Sequence, residues 1–183
     1  MIPTSSITRA AGGSYELRLQ GLFPHPHWIA FLFSGLAESQ ISVVSGRALR
    51  DDNHSWDARL LLDFSRARAT PEALDYVALA QRKPATADMV VPRLSRFEVL
   101  RLRDGALQMI LEGPDQIGFL GRLLSRVSLL TLFPIDIEIN TDAGTIRDRI
   151  VMRDRIVMRG IGGSAPVATT EEALATLLRG LVS

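Results

Sequence analysis

The chain has no cysteine in 183 residues, so it carries no disulfide framework, no thiolate metal site and no cysteine nucleophile. Histidine is scarce too, with only His25, His27 and His54 to serve a zinc site or a triad. Lysine is nearly absent: Lys83 is the single one among 21 basic residues, a coding bias first and only weakly a preference for forked anion contacts. Charge of one sign is missing as well. The 21 Lys and Arg stand against 20 Asp and Glu, a net charge of +1, which argues against a nucleic-acid surface or an acidic solvating tail. The most apolar stretch, Trp28 to Leu36, is interrupted by Ser34 and Gly35 and falls well short of the roughly 20 residues of a membrane span. The polar lead MIPTSSITRAAGGSYE lacks the apolar segment of a secretory signal. A cytoplasmic protein that is not an enzyme is the expectation, and nothing in the chain implies a cofactor or a metal.

What is present is apolar and periodic. Hydrophobic residues make up 46% of the chain and mean hydropathy is +0.14, enough for a core in one domain or two small ones. Tyr15–Leu22 alternates like a strand, Trp28–Ala37 is apolar at helical density, and Ile41–Leu49 and Ala58–Phe64 read as strands around Asp51-Asp52-Asn53-His54. Thr70-Pro71-Glu72 opens a helix, with Thr70 as its cap and Pro71 in its first turn. After a loop over Lys83–Pro92 comes a strand at Phe97–Arg103.

The order then repeats. Ala106–Glu112 is a strand and Gly113-Pro114-Asp115 a turn, followed by a helix with Leu120, Leu123, Leu124, Val127 and Leu130 on one stripe. Phe133–Asn140 is a strand with Ile135, Ile137 and Ile139 on one face. Asp142-Ala143-Gly144-Thr145 is a hairpin turn, and a helix over Thr169-Thr170-Glu171-Glu172 stops at Gly180. Thr70-Pro71-Glu72-Ala73-Leu74 matches Thr170-Glu171-Glu172-Ala173-Leu174, and Gly21 matches Gly113. DRIVMR at 148–153 recurs unchanged at 154–159. Six extra residues keep every strand side chain on its own face, whereas they would rotate a helical stripe by about 240°, so this segment is a strand or a looped-out hairpin.

Two hairpins can be registered. Centring one on Ala143-Gly144 sets Ile139 opposite Asp148, Ile137 opposite Ile150, Ile135 opposite Met152, Glu138 opposite Arg149 and Asn140 opposite Arg147. Centring the other on Asp104-Gly105 pairs Leu102 with Leu107 and Leu100 with Met109. The expected fold is α+β, with two tandem βαββαβ units whose antiparallel sheets carry helices on one face. The units span 14–104 and 105–183, behind a lead at 1–13 that is flexible or adds a strand. The second ends before its closing strand, so Ile2–Ile7, the neighbouring half or a second chain must cover that edge.

At Glu112-Gly113-Pro114-Asp115-Gln116-Ile117-Gly118-Phe119-Leu120 the chain resembles an ACT domain, a ferredoxin-like module whose first loop carries Asp-x-x-Gly-x-Leu. Asp115, Gly118 and Leu120 match. The Leu-rich helix and the Phe133–Ile139 strand also resemble the family over roughly 106–180, while the first half matches by order of elements alone, with Gly21–His27 replacing the motif. A tandem chain of this size is similar to the glycine-cleavage repressor type and, in layout, to the small regulatory subunit of acetohydroxyacid synthase. The resemblance implies regulation by a small-molecule effector, an amino acid, held between modules by Asp115, Gln116, Ile117, Gly118 and Phe119. A homo-oligomer or a regulated protein partner is implied with it. Asp115 would meet a ligand ammonium or simply cap the helix, and Gly118 admits a ligand to the backbone or serves packing. The alternative is an interaction module that has lost its ligand.

The remaining candidates have plainer readings. His25-Pro26-His27 supplies two imidazoles, which is not a metal site, and reads as a rigid loop entering a helix. His54 sits in a turn. Arg147, Arg149, Arg153, Arg155 and Arg159 share a strand face that either binds phosphate or nucleic acid or, without interleaved aromatics, is a solvated edge partly neutralised by Glu138. Gly160-Ile161-Gly162-Gly163-Ser164 lacks a phosphate-loop Lys and reads as a flexible connection. Asp148 and Asp154 fall on the Ile/Met face, so they sit at a sheet margin or pair with Arg.

Overall fold

A computed structural model describes residues 2–85, 91–143 and 150–182. In chain order the elements are β1 (Thr4–Arg9), β2 (Tyr15–Gly21), α1 (Trp28–Glu38), β3 (Ser42–Arg50), β4 (Trp56–Asp63), α2 (Tyr76–Gln81), β5 (Arg96–Arg101), β6 (Leu107–Pro114), α3 (Phe119–Ser128), β7 (Phe133–Ala143), β8 (Ile150–Arg159) and α4 (Ala168–Arg179). The strands form one antiparallel sheet of eight, ordered β1-β2-β4-β3-β7-β8-β6-β5. Period-two alternation decides which face is buried. One row runs Leu19, Ala58, Ala48, Ile137, Ile156, Met109, Val99 across seven strands, and all but half-buried Val99 are fully buried. The neighbouring row, Arg18, Arg59, Arg47, Glu138, Arg155, faces the other way and is solvated. The stripe Phe119, Leu120, Leu123, Leu124 and Val127 of α3 joins Leu32, Phe33 and Leu36 of α1 in the same core. Among the described residues no helix is long and apolar enough to cross a membrane.

The sheet order reads the same from either edge when β5–β8 are matched to β1–β4, and β3 and β7 meet antiparallel at its centre. Local details repeat with it. Gln40, ahead of β3, has φ 57° and Thr131, ahead of β7, φ 58°. A Cβ on Gly21 would lie 2.7 Å from Cα of Pro3, and one on Gly113 would lie 2.9 Å from the carbonyl oxygen of Arg93. The segments entering β1 and β5 thus cross their neighbouring strands at matched glycines, where only a missing side chain allows it.

That crossing corrects the expected unit. The place of a closing strand beside β2 is filled by β1, and the place beside β6 is filled by β5, so each half runs ββαββα with its edge strand first. The expected division after residue 104 separates β5 from β6, to which it is hydrogen-bonded from Arg96↔Glu112 to Arg101↔Leu107. Turn chemistry moves the β5–β6 register by one residue. Gly105, at φ 84°, occupies the bulge position of a three-residue turn, with its N–H on the Leu102 carbonyl, rather than half of a two-residue turn. Val99 therefore faces Met109, and Leu100 lies exposed on the open face. Gly113 and Pro114 continue β6 instead of forming a turn. A bulge between Pro134 and Asp136 removes Ile135 from the Ile137–Ile139 row. Thr70-Pro71 opens only a single turn, and α2 starts at Tyr76, capped by Asp75, whose carboxylate accepts from the Ala78 N–H at 2.9 Å. The matching Thr170 lies inside α4, without a capping bond.

The repeated hexapeptide gives the clearest register result. Four of the five partners expected for β7 are displaced by six residues onto an identical residue: Ile139 pairs with Asp154, Ile137 with Ile156, Glu138 with Arg155 and Asn140 with Arg153, while the bulge leaves Ile135 unpaired and sets Met158 opposite Pro134. The second copy occupies the positions assigned to the first, and the hairpin is longer by the duplicated length. Residues 144–149, including the Gly144 turn, Arg147, Asp148 and Arg149, lie outside the described residues.

Deleting residues 148–153 leaves the second copy in register and brings Arg147 opposite Asn140, where Arg153 now stands. The variant should keep the parent far-UV circular dichroism and unfold cooperatively within roughly 4 °C of the parent, the shift expected of about 1 kcal/mol in a chain of this size. Loss of cooperative unfolding would show that the first copy does more than lengthen the hairpin.

Candidate functional site

The loop leaving β6 enters α3 through Gly118, whose φ of 87° places it in the left-handed region as the cap residue. Among the described residues no side chain caps α3, so the N–H groups of its first turn other than that of Phe119 stay available, and Asp115 is not a capping residue. Gln116 holds the loop. Its side-chain oxygen accepts from the Arg93 N–H at 3.2 Å and its carbonyl accepts from the Phe119 N–H at 3.0 Å.

Opposite this loop stand Phe33 of α1 and the start of β3. Asp115, Gln116, Ile117, Gly118 and Phe119 therefore line one cleft with Ile41, Ser42 and Val43 from the first half and with Ile139 and Thr141 of β7. The two helices close over it because Gly121 lies against α1: a Cβ there would fall 2.5 Å from Oγ of Ser34. A polar pocket adjoins this cleft, sharing Ser42, Asp115 and Ile117 with it and adding Gln40, Asp63, Ser65 and Arg66. Asp63 is fixed by Ser65, whose N–H and hydroxyl donate to its two oxygens at 2.8 Å each.

Two observations bear on ligand chemistry. Among the described residues Oγ1 of Thr141 is buried in the cleft without a hydrogen-bond partner, and Oγ of Ser34 is likewise unpartnered at the helix crossing. Burial pushes the Asp115 carboxyl up from its ordinary range. The Arg66 charge opposes that shift, the Asp63 charge adds to it, and the Gln116 N–H opposes it again. A half-buried carboxylate short of compensation is one that gains from an incoming cation.

All five residues expected from the loop motif come together here. The first-half contributors Ser42, Asp63 and Arg66, together with Thr141, were not legible as site residues. They lie far from the motif in sequence, and only the β3–β7 pairing brings them to it.

The other candidates settle differently. Arg155 donates to Asp136 at 2.9 Å and to Glu138 at 3.3 Å, so its charge is neutralised on the open face. β8 is interior, between β7 and β6, and its Arg row guards no edge. The Arg153 and Asp154 side chains lie outside the described residues; Asp154 stands in register between Ile139 and Leu111. His27 stacks on Phe31 at 5.7 Å and meets Phe133 edge-on at 5.1 Å, and burial, then His25, lower its pKa. His54 holds a turn at φ 63° and is exposed. The Gly160–Ser164 segment is an ordered turn, closed by a Gly160 N–H to Ser164 carbonyl bond of 2.9 Å. Among the described residues no cluster of three metal-ligating side chains occurs.

No family model matches the chain, and no curated protein matches its sequence. Among solved structures, an aspartate kinase from Synechocystis is similar over 92% of this chain, at 14% identity and a TM-score of 0.48; this chain spans 27% of the kinase. An unknown protein from Galdieria sulphuraria is similar over 91% of each chain, at 13% identity and a TM-score of 0.32.

Because the folded Asp115 carboxyl titrates above its unfolded counterpart, the native state holds its proton longer. Its contribution to stability is complete below the ordinary Asp range, about pH 3.9, and is lost as pH rises through the raised folded value. Without ligand, Asp115→Asn should therefore unfold at a higher temperature than the parent at pH 7, with the gap narrowing toward about pH 3. A variant less stable than the parent at pH 7 would mean that the carboxylate is already satisfied.

Proposed function

We propose that the protein is a non-enzymatic regulatory protein made of two tandem ACT-like, ferredoxin-like modules that sense an amino acid in the cleft between them. The observation that carries this reading is the convergence of a desolvated Asp115, an uncapped α3 N-terminus and the unpartnered Thr141 hydroxyl in one cleft bridging the two halves. Each part of an amino acid then has a counterpart. Asp115, backed by Asp63, receives the ammonium, and the carboxylate meets Arg66 and the open N–H groups of α3. The Thr141 hydroxyl gains the partner it lacks.

Size sets the ligand class. The adjoining polar pocket offers about 240 Å³, whereas the cleft that Phe33, Ile41, Val43 and Ile139 line with Asp115 and Thr141 holds only about 30 Å³, room for one or two water-sized groups. A compact side chain such as hydrogen, methyl or hydroxymethyl suits it. Since the ligand touches both halves, occupancy stiffens the seam between α1 and α3, and the change passes to a protein partner or a second copy of the chain. The layout proposed is that of the glycine-cleavage repressor type, working in the cytoplasm as a homo-oligomer. The tightness of the cleft favours one other reading, an interaction module that no longer holds a ligand.

A thermal-shift screen of the proteinogenic amino acids at millimolar concentration separates the two. The sensor reading expects stabilisation by one or a few compact amino acids. Asp115→Ala should weaken that response at least tenfold, as removal of a charge-assisted contact worth about 1.5–3 kcal/mol requires. Sizing with and without the hit reports whether assembly follows occupancy. No stabilisation by any amino acid leaves the interaction module.

A further inference from the structure

The symmetry of the sheet order predicts a counterpart of the Asp115 cleft at the other end of the β3–β7 seam, and the chain has filled it with different chemistry. At the first end, β3 begins with Ser42 paired to Asp63; at the second, β7 begins with Phe133 paired to Arg159. Thr141, near the end of β7, has as its counterpart Arg50 at the end of β3; the two pair with Met152 and Trp56 respectively. The carboxylate and hydroxyl of one end are thus replaced by two guanidinium groups at the other.

These two groups converge on one glycine. Nη1 of Arg159 donates to the Gly163 carbonyl at 3.2 Å, and its Nη2 donates to the Asp104 carboxylate at 2.6 Å and to the Asp104 carbonyl at 3.0 Å. Its fork is fixed and its charge largely neutralised. Nη2 of Arg50 lies 4.0 Å from the position a Gly163 Cβ would take, so the absence of a side chain there leaves room above the turn. The contrast between the two arginines is decisive. Among the described residues the Arg50 side chain forms no hydrogen bond and no ion pair. Burial and then the Arg159 charge lower its pKa, the response of a cation held without an anion. Phe133, met edge-on by the His27 ring, stands opposite Arg159 in the register and brings an apolar group to this end of the seam.

We propose that Arg50, supported by Arg159 and the open turn at Gly163, binds a small oxyanion, either a carboxylate or a phosphate. A guanidinium fork suits either anion, since both present two oxygens in one plane. This site is distinct from the amino-acid cleft and does not depend on it.

The test is a titration of the full chain, followed by thermal shift and by amide NMR, with inorganic phosphate in one arm and succinate in another, against chloride at matched ionic strength. Saturable stabilisation beyond chloride in either arm, with shifts at Arg50 and Gly163, is expected, and the arm that responds identifies the anion class. Arg50→Gln should weaken binding at least tenfold and Arg50→Lys should weaken it less, while Arg47→Gln on the open face should leave it unchanged. A response no greater than chloride, or one that survives Arg50→Gln in full, overturns the proposal. Amino-acid binding measured on Arg50→Gln, and anion binding measured on Asp115→Ala, keep the failure of either site separate from the other.

Discussion

The antiparallel pairing of β3 with β7, from Ser45↔Asn140 to Leu49↔Asp136, is the contact on which the rest of the molecule depends. Each half alone would leave a four-stranded sheet with β3 or β7 as an unpaired edge. Joined, the halves share the buried row from Leu19 to Val99, and their helices cover a single face. The same pairing forces α1 against α3, and the close fit of Gly121 on Ser34 shows how little space is left between them. The Asp115 cleft is a by-product of that geometry. It exists because the end of β6 and the start of β3 come to the same end of the seam.

The two ends of the seam share a backbone plan and differ in charge. One gathers Asp115 and Asp63 around Ser42 and Thr141, and the other gathers Arg50 and Arg159 around Phe133. In both, one charged group is desolvated beside a like charge, Asp115 by Asp63, with Arg66 offsetting only part of the shift, and Arg50 by Arg159. A free charge in that position opposes folding unless something of opposite sign arrives. The overall charge of +1 conceals this division, because Arg66 at one end and Asp104 at the other each offset only part of the local charge.

Much of the fold was legible from period-two and period-3.6 patterning, as in β4 with Trp56, Ala58, Leu60 and Leu62 or the stripe of α3. The misreadings share a cause. A strand's own alternation says nothing about which neighbour it pairs with, so β5 was placed with the half it follows rather than the half it flanks. A Gly in a hairpin does not reveal whether it ends a two-residue or a three-residue turn, so the β5–β6 pairing slipped by one. The hexapeptide repeat made two registers of β7 equivalent in side-chain identity, and only the structure selects the second copy. At the site, the loop from Asp115 to Phe119 was visible because its residues are contiguous. Ser42, Asp63, Arg66 and Thr141 were not, because their proximity is a property of the sheet.

The central claim is that one ligand touches both halves across the seam. Amide chemical-shift mapping of the full chain, with the stabilising amino acid as titrant, tests it most directly. The account predicts that Ser42 of β3, Gly118 and Phe119 of α3 and Thr141 of β7 shift together along one saturation curve, while Arg50 and Gly163 stay unchanged. Shifts confined to one half, or absent from the Asp115 loop, would contradict it.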